Sequence, residues 1–300
     1  MRRSLLLLPL LVLAACGDEG SSGGDATTTV VATTPQVADL ARNVGGDRVA
    51  VRTIVPADAD PHDYEPRPSD VAAIADADLV LRSGGDLDEW LDDLLENAGG
   101  EARTATLIDA VDTIPGDPHW WQSPRNAVRA ARAIEEQLAE ADPEGADRYR
   151  RAADRYVERL RALDATIARC VDRVPPGRRK IVTTHDALGY FADRYGVEVV
   201  GAVIPSLSTQ AQASAGDVQR LVEQIRAEDV EAIFPESAVS PKLEQAIARE
   251  SGAEIGDALY ADSLGPEGTE AGTYLGATAA NSDALVRGMS GGREACRIRP

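Results

Sequence analysis

Residues 143–174 read PEGADRYRRAADRYVERLRALDATIARCVDRV. Through this stretch Tyr149, Ala153, Tyr156, Leu160, Leu163, Ile167 and Val171 recur at three- and four-residue steps, the spacing that puts side chains on one face of an α-helix. Pro143 suits the first helical position after Asp142, and Pro175-Pro176 closes the run. One helix of about thirty residues is predicted. Its remaining positions are crowded with both signs of charge, as in Arg150-Arg151, Asp154-Arg155 and Glu158-Arg159, which describes a solvated face carrying spaced ion pairs. A helix of that length in mid-chain divides the sequence, so its two flanks are read separately.

On the N-terminal side, β-rich runs at 27–34, 48–55, 78–81 and 103–108 alternate with helical patterns at 36–44, from Ser69 onward, at 87–97 and at 124–141. Beyond Pro175-Pro176-Gly177 the alternation resumes, with strands at 180–184, 198–204, 232–234 and 254–255 and helices at 187–195, 217–227, 241–251 and 272–289. Strands alternating with helices point to parallel sheets with helices on their faces. The expected fold class is α/β, with two parallel-sheet lobes at 26–141 and 175–300 bridged by one long backbone helix at 142–174.

The chain has 300 residues, 43% of them hydrophobic and 27% charged, the balance of a folded globular protein. Its 31 Lys and Arg against 50 Asp and Glu give a formal charge of −19, a field that repels phosphate backbones, so no nucleic-acid partner is expected. Met1-Arg2-Arg3 followed by an apolar run at 4–13 reads as an export signal spanning 1–15, and the run is too short to span a bilayer. Its ending, Leu13-Ala14-Ala15-Cys16, resembles the lipobox of bacterial lipoproteins, in which Cys16 would be lipidated and become the mature N-terminus. Gly17 and the Gly/Ser-rich residues after it, with Cys16, form a flexible tether at 16–25. The two remaining thiols, Cys170 and Cys296, can pair in an exported protein, but their geometry is unreadable here, and a disulfide stays an open alternative.

Only three histidines occur, His62, His119 and His185, each in or beside a loop at the carboxyl end of a predicted strand, where open parallel sheets bind their ligands. Two of them close the same tripeptide, Asp60-Pro61-His62 and Asp117-Pro118-His119, and the proline stiffens the turn that presents the ring. A lone histidine is more often structural, but three in such places make a site. Three neutral imidazoles suit a borderline divalent cation, and tetrahedral zinc wants a fourth ligand, for which a carboxylate serves. Asp262, in LYADSLG after the last strand, is the best placed, and Glu236, in IFPES, is the reserve.

These motifs resemble the metal-binding solute-binding lipoproteins of bacterial zinc and manganese ABC transporters. The first ligand loop is similar to Asp60-Pro61-His62-Asp63-Tyr64-Glu65-Pro66-Arg67-Pro68-Ser69-Asp70, the second to Asp117-Pro118-His119-Trp120-Trp121, the third to His185-Asp186-Ala187-Leu188-Gly189-Tyr190-Phe191, and the fourth to Tyr260-Ala261-Asp262-Ser263-Leu264. The likeness covers about 30–289, with one departure: Gln122-Ser123-Pro124 stands where the second loop usually continues Leu-Asp-Pro. The resemblance implies a metal cleft between the two lobes, with His62, His119, His185 and Asp262 as ligands. It further implies zinc as the transported ion, with manganese as a second candidate, and no catalytic residue or catalytic cofactor. Manganese-type members tend to carry Glu at the third position, so His185 there favours zinc. The expected partners are the divalent metal ion, the membrane subunits of an ABC permease, and the outer face of the cell membrane through lipidated Cys16, with the chain a monomer.

Three rival readings use the same residues. A zinc hydrolase would draft Glu236 as general base, but the chain has neither a His-Glu-x-x-His pair nor a Gly-x-Ser-x-Gly elbow. An adhesin-like lipoprotein with a purely structural metal, and a pH sensor built on the histidines, have no motif of their own.

Overall fold

The computed structural model describes residues 28–298 apart from Asp58 and Gly100. The expected signal segment, Cys16 and the whole tether at 16–25 therefore lie outside the described residues, as do Arg299 and Pro300. The first lobe holds a sheet of β1 (Thr28–Ala32), β2 (Val49–Thr53), β3 (Leu79–Arg82) and β4 (Arg103–Thr106) in the order β2-β1-β3-β4, every neighbour parallel. The second lobe repeats that plan with β5 (Lys180–Thr183), β6 (Glu198–Ala202), β7 (Ala232–Phe234) and β8 (Glu254–Ile255) in the order β6-β5-β7-β8. In each sheet the third strand crosses to the far side of the first, so the winding reverses beside β1 and beside β5, where such sheets leave a crevice.

The central strands are apolar on both faces: Val30, Val31, Leu79, Val80, Leu81, Ile181, Val182 and Ile233 are fully buried. That continuous burial is what helices on both sides of a parallel sheet demand. Those helices are α1 (Pro35–Gly45), α2 (Pro68–Ala75), α3 (Trp90–Ala98) and α4 (Pro124–Ala141) in the first lobe. The second lobe has α6 (Gly189–Tyr195), α7 (Ala215–Ala227), α8 (Lys242–Ser251) and α9 (Tyr274–Met289). Helix α2 starts at Pro68 rather than Ser69, because a proline fits the first helical position and Asp70 Oδ2 accepts the Arg67 N–H at 2.8 Å to close the cap. Several strands are shorter than expected, β1, β4 and β5 among them, and for β2 and β6 the reason is visible: past their formal ends the Ile54, Val55, Val203 and Ile204 N–H groups still donate to the carbonyls of Ala32, Thr33, Thr183 and Thr184.

Between the lobes runs α5 (Ala146–Val171), 26 residues preceded by a 3-10 turn at Pro143–Gly145. At 1.5 Å per residue it is about 39 Å long. Its buried residues include Tyr149, Ala153, Tyr156, Leu160, Leu163, Ile167 and Val171, the seven that set the period. At its N-terminal end Asp142 takes a paired hydrogen bond from Arg48 and another from the Tyr149 hydroxyl at 2.6 Å, fastening it to the first lobe. At its other end Asp164 accepts from Arg194 at 2.6 and 2.8 Å and from the Tyr195 hydroxyl at 3.0 Å, fastening it to the second. Cys170, in its last turn, is disulfide-bonded to Cys296, which anchors the tail beyond α9. The principal apolar core runs through both lobes without a break, from Val30 and Leu81 by way of Leu160 to Phe234 and Met289. Asp39 on α1 also accepts the backbone N–H of Tyr274 on α9 at 3.0 Å.

Candidate metal centre

Each expected ligand hangs from the carboxyl end of a strand or the loop that follows it. His62 sits in a 3-10 turn, Pro61–Asp63, capped by Asp60, whose Oδ1 accepts the His62 N–H at 2.9 Å. Asp117 builds the same local bond, its Oδ1 accepting the His119 N–H at 2.9 Å. His185 stands just past β5, after Thr184, and Asp262 comes after β8. His119 and His185 are fully buried, Asp262 is 6% exposed, and the His62 side chain is 4% exposed.

The four side chains converge, with one ligand atom from each lying within 4.8 Å of all the others. His119 Nε2 is 3.4 Å from His62 Nε2 and 3.3 Å from His185 Nε2. Asp262 Oδ2 is 3.0 Å from His185 Nε2 and 3.4 Å from His62 Nε2, and Oδ1 is 3.5 Å from His119 Nε2. A tetrahedron with zinc–ligand bonds near 2.05 Å has edges of about 3.3 Å. The buried Asp262 oxygens meet no donor among the described residues other than these imidazoles.

Two outer carboxylates orient the rings. Asp117 Oδ1 lies 2.7 Å from His119 Nδ1, and Glu236 Oε1 lies 2.7 Å from His185 Nδ1. A ring that donates its Nδ1 proton outward turns the Nε2 lone pair inward and becomes a better metal ligand. Glu236, the reserve ligand, thus stands on the far ring nitrogen of His185 and outside the converging set. Burial opposes charge on His185, but Asp262 and Glu236 outweigh it and push the imidazolium up to about 11. Burial likewise opposes charge on Asp262, yet His185 and His119 hold its carboxyl well below the usual carboxylate range. Burial raises Glu236. In the metal-free cage His185 is therefore an imidazolium, with its Nδ1–H facing Glu236 and its Nε2–H facing Asp262.

Asp117 was legible only as part of a tripeptide, and the repeated Asp two residues before His62 and His119 is the signal that could have found its role. Trp121 and Gln122 carried no ligand chemistry in the sequence, yet both reach the Asp262 loop, donating to the Ala261 carbonyl at 2.8 and 2.7 Å.

The profile of the periplasmic zinc-uptake complex component A, ZnuA, matches residues 30–288. The manganese-binding lipoprotein MntA of Bacillus subtilis is 35% identical over 272 residues, 86% of this chain and 88% of that protein. The MntA of Halalkalibacterium halodurans is 33% identical over 260 residues, 85% of this chain and 86% of its own. Among solved structures, the periplasmic zinc binding protein TroA from Treponema pallidum superposes with a TM-score of 0.83 at 28% identity, covering 88% of this chain and 99% of that one.

Proposed function

The chain belongs to the ZnuA family of metal-binding components of ABC transporters, and from that premise we propose that it captures zinc at His62, His119, His185 and Asp262 and hands it to a permease. Members of this family are transporter binding proteins and not enzymes. The observation that carries the assignment of the site is the convergence of three Nε2 atoms and one otherwise unpartnered carboxylate, with five of the six pairs 3.0–3.5 Å apart and all four residues offering a ligand atom within 4.8 Å of the others.

The chemistry is ligand exchange. An entering zinc ion trades its waters for three nitrogens and a carboxylate oxygen, and it expels the Nε2 proton that His185 holds toward Asp262, while the Nδ1 proton stays directed at Glu236. Asp117 and Glu236 keep the rings of His119 and His185 aimed while this happens. Because the first lobe supplies two ligands and the second the other two, the bound ion draws both sheets onto one point. The chain is held at the outer face of the membrane by a lipid on Cys16 and works as a monomer. Among the described residues no helix is long and apolar enough to cross a membrane.

Manganese is the second reading, favoured by the two MntA relatives that are named for it. Calorimetric titration of chelator-stripped protein with Zn²⁺ and with Mn²⁺, each repeated in competition with the other, separates the two. One-to-one zinc binding that manganese does not displace supports the proposal; preferential retention of manganese moves the assignment to that metal, and binding of neither removes the site.

A further inference from the structure

The turn that carries His119 continues as a 3-10 turn, Trp120–Gln122, and its last two side chains reach across to a single atom of the other lobe. Trp121 Nε1 and Gln122 Nε2 both donate to the carbonyl oxygen of Ala261, at 2.8 and 2.7 Å. A carbonyl has two lone pairs, and here both are occupied. Trp121 and Gln122 are 3% and 6% exposed, so these bonds are made away from water, where a lost partner costs most. On the other side of the same loop, Asn281 accepts the Tyr260 N–H and donates to the Tyr260 carbonyl, each at 2.8 Å. The peptide leading into Asp262 is therefore held at consecutive residues, from the first lobe at Ala261 and from α9 at Tyr260. A leucine at position 122, as the motif usually reads, has no donor to offer.

We infer that Gln122 is a specificity-determining positioning residue, one that keeps the cage small by tying the backbone of Asp262 to the turn bearing His119. The inference rests on the reading of the four residues as metal ligands. Zinc is satisfied by four short bonds in a tetrahedron. Manganese favours six ligands rich in oxygen, and this cage meets that demand only if the Asp262 carboxylate swings to offer its second oxygen and water enters beside it. A peptide gripped by two donors resists that swing, so the grip penalises manganese more than zinc.

The test uses Gln122→Met, which keeps the length of the side chain without its N–H, and Gln122→Leu as a second replacement. Zinc and manganese affinities of the chelator-stripped mature chain are measured by competition with a chromogenic chelator, alongside the metal-free melting temperature. Removing one buried hydrogen bond is expected to weaken zinc about tenfold, while for manganese the same loss is offset by relief of its penalty and leaves a change of less than about twofold, so the zinc-to-manganese ratio falls about tenfold. A merely structural role would lower both affinities by one factor. If both metals bind the parent protein and the ratio is unchanged in both variants, the inference falls and the ligand reading stands. If the parent binds neither metal, both fall together.

Discussion

The two Asp-Pro-His turns are the same device put to different use. In each, the aspartate accepts the histidine's own N–H at 2.9 Å, so the tripeptide sets its local shape wherever it stands. After β4 the same oxygen of Asp117 also holds His119 Nδ1, and the carboxylate serves the ring. After β2 the second oxygen of Asp60 instead accepts the Thr209 hydroxyl at 2.6 Å, from the loop between β6 and α7 in the opposite lobe. One aspartate aims a ligand and the other fastens two lobes. Local sequence determines the turn, and the tertiary neighbour determines what the spare oxygen does.

The contrast can be broken most severely at the rings themselves. His119→Ala removes a fully buried proposed ligand and is expected to weaken zinc binding by more than about a hundredfold, beyond what loss of an outer partner costs. Competition with a chelator reads this directly. Asp117→Asn leaves the turn's cap but weakens the grip on His119 Nδ1, and an affinity loss of about tenfold to a hundredfold is expected. Asp60→Asn, by contrast, should change equilibrium affinity less than about tenfold, because no ring depends on it. Equal losses in the two asparagine variants would erase the distinction.

Acidity sharpens the picture in the second lobe, where Asp262 and Glu236 push the His185 imidazolium up. Its proton is held in the folded metal-free protein up to about 11 against 6.5 in the unfolded chain. The stabilisation is thus fully present below pH 6.5 and is lost as pH rises through about 11. The same proton competes with metal, so zinc affinity should rise with pH across the neutral and alkaline range, with proton release measurable as a buffer-dependent binding enthalpy. Glu236→Gln should shrink that release, and an unchanged release would break the assignment. The smallest effect expected is that of Thr209→Val, a roughly two- to threefold faster zinc release, from loss of one part-buried hydrogen bond between the lobes.

The long helix was readable because its period repeats over seven residues from Tyr149 to Val171, and the alternation of strands and helices because each run is local. Strand ends were less so, since Ile54 and Val203 keep bonding after the regular ladder stops. His62, His119, His185 and Asp262 could be placed at strand ends from sequence, but the ring nitrogen that Glu236 meets depends on a neighbour 51 positions away. The contact of Gln122 spans 139 positions, and the bond between Cys170 and Cys296 spans 126. No local pattern encodes such pairs; they follow from how the second sheet docks along α5.

The bond from Tyr274 to Asp39 joins residues 235 apart and bears on the order in which the molecule can be finished. A chain delivered N-terminus first completes the whole β1–β4 sheet, with α1 and both Asp-Pro-His turns, long before residue 274 arrives. Until then Asp39 lacks that partner, and α1 lacks one of its neighbours. Asp262 emerges only twelve residues ahead of Tyr274. The last proposed ligand and this bond between the lobes are thus delivered almost together, so a half-made chain holds two histidines but no cage.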